Sequence, residues 1–490
     1  MPTTASTKFE HSYAALGSAF SSPQRPTPVS APTLIAFNQD LAAQLNLSLA
    51  NNPANLAAFF SGNELLPGAH PIAQVYAGHQ FGNFNPRLGD GRAILLGEVI
   101  DASGARRDIQ LKGAGPTPYS RNGDGRAALG SVLREYLISE AMYHLGVPTT
   151  RALAAVSTGE SVWRQGAQPG AILTRVASSH IRVGTFEYFY RHGLNSELKS
   201  LADYVIARHY PSAQHATNPY LALLSGVITR QAELIAHWTQ LGFIHGVMNT
   251  DNSSISGETI DFGPCAFMDN YVVHQCFSSI DLEGRYAFSQ QHKIALWNLS
   301  RFAECLLFLL APNTQEAVSI AETSLGTFYT QYQNFWLNGW REKLALNAQA
   351  DDSDTRFITD YLKCLNLYKL DFTYTNRTLA QALEHELPAV DLSDKPQLHL
   401  WLNQWRHRLA NQDATKDTLK TTLCAANPAY IPRNYWVEEA IKQAQEFQDF
   451  SLFHELTQLV KNPFCEQEGA SKFSSPPPSF SAPYQTFCGT

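Results

Sequence analysis

Ile235-Ala-His-Trp-Thr-Gln-Leu-Gly-Phe-Ile-His-Gly-Val-Met-Asn-Thr-Asp-Asn252, with Ile260-Asp-Phe-Gly263 a few residues on, decides how this chain is read. A helical pattern stops at Gly242, and a short apolar step leads to His245. The polar loop that follows carries Asp251 and Asn252. A hairpin is expected next, with Asp261 closing a short buried strand before a glycine turn. Asp-Phe-Gly alone says little, because turns after strands favour Asp and Gly for backbone reasons.

The order helix, Asp-Asn loop, hairpin, Asp-Phe-Gly says more. Kinase-like phosphotransferases hold Mg²⁺-nucleotide this way, with an Asn and the second Asp as metal ligands. Hard cations take hard oxygens, and Mg²⁺ needs only one or two carboxylates beside phosphate. Small-molecule kinases carry H-G-D-x-x-x-x-N in the loop. His245, Gly246 and Asn252 fall at those offsets, but Val247 stands where the base belongs. Either such a site is inert, or its chemistry is arranged differently, with Asp251 as the remaining carboxylate. His245 reads as structural support for the loop.

Working outward, residues 71–185 have a strand-like texture. Arg92–Ile100, Asp108–Lys112 and Ala171–Val176 are short apolar runs between turn residues, and Ser131–Leu145 has helical spacing that stops at Gly146-Val-Pro148. Beyond 186 the chain turns helical near 196–210, 219–242, 291–311 and 314–345. Residues 352–465 stay helical, with Trp401, Trp405 and Trp436 as core anchors. The expected class is α+β, a kinase-like two-lobed fold. Its parts are an N-terminal extension (1–70), an N-lobe (71–185), a C-lobe with the catalytic loop (186–350), a helical extension (351–470) and a flexible tail (471–490).

Composition removes other classes. A chain of 490 residues, 44% hydrophobic and 16% charged, has the make-up of a globular enzyme. A formal net charge of -7 opposes non-specific nucleic-acid binding, which needs surplus Lys and Arg. No run approaches the roughly 18 apolar residues of a membrane span, and Cys305–Ala311 reads as a buried helix segment. Seven scattered Cys without C-x-x-C pairs oppose both a zinc site and a disulfide framework. With no secretory signal visible, the expected location is the cytoplasm, and the expected state a monomer.

Gly89-Asp-Gly-Arg92 precedes a strand and Gly123-Asp-Gly-Arg126 precedes the helix. Each is either a plain turn or a backbone approach to phosphate. Lys112 ends a strand and Glu135 lies in the next helix, an order that resembles the Lys–Glu pair of kinases. Arg175 and Arg182 are candidate cations for a triphosphate, with Arg121 and Arg126 as further ones.

Together these residues resemble the selenoprotein O family, YdiU-type protein adenylyltransferases with a pseudokinase fold. The resemblance runs through Tyr76-Ala-Gly-His-Gln-Phe-Gly82, Leu88–Arg92, Gln110–Arg121, Asn122–Arg126, His245–Asn252, Asp261-Phe-Gly-Pro264 and Asn434-Tyr-Trp436. It implies ATP bound in reverse, with AMP passed to Ser, Thr or Tyr of proteins, self-modification included, and pyrophosphate released. By position it implies that Lys112, Arg175 and Arg182 contact phosphate while Gly89, Gly91, Arg92, Asp124 and Gly125 line the nucleotide. Glu135 would orient Lys112, Asn252 and Asp261 would hold Mg²⁺ or Mn²⁺, and Asp251 would accept the proton. Some members carry selenocysteine where Cys488 stands. A reversible disulfide from Cys488 to Cys276, or second to Cys265, is the matching expectation, against an unpaired tail thiol. The rival readings are a conventional kinase and a non-catalytic nucleotide-binding scaffold.

Overall fold

The run Ala-Ile-Leu-Leu-Gly-Glu-Val in Ala93–Ile100 is buried residue after residue, because both faces of the sheet it joins are covered. The computed structural model describes residues 8–49, 52–164, 166–346, 351, 353–385, 387–388, 390–478 and 484–486. Its strands are β1 (Ser21–Pro23), β2 (Thr33–Phe37), β3 (Ile72–Gln74), β4 (Gly78–Gln80), β5 (Asn83–Asn85), β6 (Ala93–Ile100), β7 (Arg106–Lys112), β8 (Ala127–Ala128), β9 (Arg151–Trp163) and β10 (Ala167–Ala177). One sheet runs in the order β1-β3-β6-β7-β10-β9-β2, with β8 also on β10, and its pairings are antiparallel. The first seventy residues, expected as an extension, supply both ends of that order. β4 and β5 form a separate small hairpin.

Helices α1 (Gln39–Gln44) and α2 (Pro53–Ser61) cover one face through Leu41, Leu56 and Phe60. Helix α3 (Leu129–His144) covers the other. Then come α4 (Val183–Arg191), α5 (Asn195–His209), α6 (Pro219–Leu241), the two-residue strands β11 (Phe243–Ile244) and β12 (Ala266–Phe267), α7 (Gln291–Leu310), α8 (Thr314–Gly326) and α9 (Phe328–Lys343). Helical spacing through 314–345 suggested one helix; the structure has two, parted at Thr327. The region 351–470 is helical as expected, including α10 (Asp354–Leu367), α11 (Phe372–Thr378), α12 (Pro396–Ala410), α13 (Lys416–Ala426), α14 (Asn434–Phe447) and α15 (Ser451–Leu459). Trp401 and Trp405 stack in its core. Trp436 is only half-buried and packs elsewhere, against Phe473, whose burial the Pro- and Ser-rich tail composition did not signal. The described architecture is mixed α+β.

Helices α14 and α15 lie on the far side of α3, so the helix carrying Glu135 is clamped between them and the sheet. Arg433, just before α14, pairs with Asp269 at 2.9 Å and Asp371 at 2.8 Å, and Asn434 donates to the Phe267 carbonyl. The helical extension is thereby tied to the segment that follows Asp261.

Candidate functional site

Side chains two residues apart on a strand share a face, as do directly opposed residues of neighbouring strands. Gln110 and Lys112 of β7 therefore point the same way as Arg175, which sits opposite Gln110 on β10. Helix α3 covers this face and brings Glu135 to it. Lys112 Nζ reaches Glu135 Oε2 at 2.6 Å and Asp261 Oδ1 at 2.8 Å. Arg175 donates to Glu135 Oε1 through Nε at 2.9 Å and to Asp261 Oδ1 at 2.6 Å. Arg182, immediately before α4, donates to Asp261 Oδ2 at 3.0 Å. Five residues named from sequence thus form one network.

Asp261 departs from the expected geometry. It does not close a strand, and the expected hairpin is replaced by single-residue pairings of Ser254 with Arg182 and Thr259 with Thr149. The backbone then turns into the left-handed region at Asp261, φ 63°, which few non-glycine residues adopt and Asp tolerates. That turn sets the carboxylate among three cations. Burial pushes its pKa up, but Arg175, Lys112 and Arg182 outweigh this and hold it well below the usual range. Glu135 is likewise lowered: burial opposes, and Arg175 and Lys112 prevail. Three cations, two of them buried and Lys112 partly so, face two ionised carboxylates here, an arrangement that favours a further anion.

Arg182 Nη1 also donates to the Asp251 carbonyl at 2.9 Å, linking the network to the loop. Thr250–Asn252 form a single helical turn against α4 and β4. Asp251 is buried, and desolvation pushes its carboxyl up to about 7, with Arg182 opposing. Gln80 Nε2 donates to its Oδ2 at 3.2 Å, while Oδ1 has no partner among the described residues. Asn252 uses its Nδ2 on the Val247 carbonyl at 2.9 Å, so its amide oxygen is the atom available to a cation. Val247 itself is buried and apolar. Among the described residues no cluster of three or more His, Cys, Asp or Glu forms a metal site. One carboxylate and one amide oxygen are nevertheless a set that suits Mg²⁺ or Mn²⁺ arriving with phosphate.

The two Gly-Asp-Gly-Arg turns flank the loop after β7. A Cβ on Gly89 would lie 2.3 Å from the Tyr119 ring, and one on Gly125 (φ 64°) 2.1 Å from the Gly115 carbonyl carbon. Gly91 lies against Tyr119 and Ser120, and Ser120 Oγ donates to its carbonyl. Their glycines are thus required by loop packing beside Lys112, whose neighbour Gly113 donates to Arg92. Asp124 points away from the carboxylate network, to Arg164 at 2.9 Å, and Arg126 reaches the carbonyls of Thr27 and Pro28. Arg121 is exposed. His245 donates through Nε2 to the Ile260 carbonyl, 2.8 Å away, beneath Trp238, which is the supporting role expected of it.

Sequence reasoning passed over Asp90 and Tyr76. Asp90 is buried, receives Gln74 N at 3.0 Å, and is pushed up to about 6 by burial against the pull of Arg182. The Arg182 guanidinium lies 4.6 Å from the centre of the Tyr76 ring. Only the repeated turn motif marked Asp90, and it reads there as backbone chemistry. Cys488 lies outside the described residues. Cys276 is half-buried beside Asp281 and pushed up to about 11, and Cys265 is buried and pushed up to about 12, both chiefly by desolvation.

A family model described as "Protein adenylyltransferase SelO" matches residues 3–461. The chain belongs to the SelO family. It is 52% identical to "Protein nucleotidyltransferase YdiU" of Rhizobium rhizogenes over 98% of this chain and 97% of that protein. The likeness is the same, 52%, to the YdiU protein of Rhizobium meliloti over 99% of both, and 53% to that of Rhodopseudomonas palustris strain BisB5 over 98% and 99%. As a SelO-family member the chain is a nucleotidyltransferase, and the family's description as an adenylyltransferase implies ATP as substrate. No helix among the described residues is long and apolar enough to cross a membrane.

Proposed function

We propose that this enzyme moves AMP from ATP to Ser, Thr or Tyr hydroxyls of proteins, its nucleotide lying with the γ-phosphate inward. The sheet layer and the helices from α4 onward serve as the two lobes of a kinase-like frame with the cleft between them. The observation that carries the reading is the charge surplus: Lys112, Arg175 and Arg182 converge on Glu135 and Asp261. Such a pocket suits the most anionic end of a triphosphate. Gly89, Gly91, Arg92, Asp124 and Gly125 line the remainder of the nucleotide.

Asn252 and Asp261 would hold Mg²⁺ or Mn²⁺, which when bound neutralises phosphate charge. Asp251 takes the acceptor hydroxyl's proton as that oxygen bonds to the α-phosphorus, and the bond to the bridging oxygen breaks with pyrophosphate leaving. A carboxyl near pKa 7 is suited to that exchange. A conventional kinase needs a base at Val247, which is apolar and buried. Incubation with Mg²⁺ and ATP labelled at the α- or γ-phosphate tests the reading. Protein-bound label from the α-position alone is expected. Label from γ alone indicates a kinase, and none indicates a scaffold.

A further inference from the structure

The short hairpin β4–β5 meets the Asp251 loop residue by residue. His79 N donates to Thr250 Oγ1 at 2.7 Å, Gln80 Nε2 to Asp251 Oδ2 at 3.2 Å, and Phe81 N to Asn249 Oδ1 at 3.0 Å. Behind them Glu187 of α4 is buried, binding His79 Nδ1 at 2.5 Å and accepting from the Thr250 hydroxyl. The His79 ring is boxed by Phe84 and Trp297, and Tyr286 OH holds Asn249 from the other side at 2.6 Å. Gly78 completes the contact: a Cβ there would stand 2.8 Å from Asp251 Oδ1, so only glycine leaves room for that oxygen, which is buried and has no hydrogen-bond partner among the described residues.

We infer that Gln80, Thr250 and Glu187 are positioning residues: Gln80 holds Oδ2 of Asp251, Thr250 and Glu187 fix the turn that carries it, and Oδ1, beside Gly78, is left to the acceptor hydroxyl. The inference rests on the reading of Asp251 as proton acceptor. None of the three hydrogen-bonds or ion-pairs with Lys112, Arg175, Arg182, Glu135 or Asp261 among the described residues, so they act on the transfer step and not on triphosphate capture. A displacement of about 1 Å in a reacting group is enough to lower turnover on the order of a hundredfold.

The test uses the full chain with Mg²⁺, α-labelled ATP and casein as a generic protein acceptor, with nucleotide binding measured separately by calorimetry with a non-hydrolysable ATP analogue. Thr250→Val keeps the shape and removes the hydroxyl; Gln80→Met keeps the length and removes the amide. Both are expected to lower kcat on the order of tenfold or more with KM for ATP and analogue affinity held within about twofold, while Thr250→Ser restores turnover. Unchanged kcat in Thr250→Val and Gln80→Met overturns the inference, as does a matching loss of analogue binding. Should Thr250→Val fail to fold, Gln80→Met, on a half-exposed residue, decides alone. Asp251→Asn separates the levels: full transfer in that variant overturns the proton-acceptor reading itself, whereas lost transfer there with intact Gln80→Met overturns only the positioning.

Discussion

Two parts of this molecule bury cations, on opposite terms. At the candidate site, Arg175 and Arg182 are almost wholly buried yet lie against Glu135 and Asp261. At the end of α9, Lys343 is equally buried, with one carbonyl contact, Ala426 O at 3.4 Å, and no carboxylate partner among the described residues. Desolvation alone pushes its ammonium down to about 7. The contrast separates charge kept for a ligand from charge tolerated as packing. Guanidinium groups cannot shed their proton, so they hold an anion-seeking field through burial, whereas a lysine in an apolar core gives its charge up.

The candidate site breaks most easily at Asp261. Asp261→Ala removes the anion that three cations share and, with it, a proposed metal ligand, and transfer from α-labelled ATP is expected to fall by at least a hundredfold or so. Undiminished transfer removes Asp261 from the site. Arg175→Met comes next. It leaves Glu135 and Asp261 less compensated, which costs about 3–5 kcal/mol of stability by the usual penalty for an uncoupled buried charge. The stabilisation that ATP analogue adds to thermal unfolding should shrink as well. A variant melting like the parent, with the same nucleotide-dependent shift, sets that expectation aside.

Lys343 sharpens the other side with the smallest effect. Its folded pKa of about 7 lies below the ordinary 10.5, so the unfolded chain binds more protons between those values. Stability from this group therefore rises with pH from about 7 towards 10.5, and is at its least below pH 7. Lys343→Met should gain about 1–3 kcal/mol near pH 7 and flatten the slope in urea titrations. A variant whose midpoint climbs with pH as steeply as the parent's would place the proton linkage elsewhere.

The sequence exposed what depends on type and short spacing. Lys112, Glu135, Asp251, Asn252 and Asp261 sit in local motifs, and β6, β7, α3 and α5–α7 follow from apolar periodicity at nearly the expected boundaries. Register between distant segments stayed hidden. Gln80 finding Asp251, Asp90 finding Gln110, and Ser21–Pro23 pairing with Ile72–Gln74 each depend on where two remote strands or loops are laid together. β9 escaped notice because its small residues Ala152, Ala154 and Ala155 lack the branched signature of strands, although the covered sheet buries them fully. Asp261 was placed at a strand end because nothing in Ile-Asp-Phe-Gly announces a left-handed aspartate.

The direction of the triphosphate is the claim on which the rest stands. A crystal structure of this chain with Mg²⁺ and a non-hydrolysable ATP analogue measures it. The expected density has the terminal phosphate within hydrogen-bond reach of Lys112, Arg175 and Arg182 and the α-phosphate open to an acceptor near Asp251. Adenine deep in the cleft with the terminal phosphate directed outward would contradict the account.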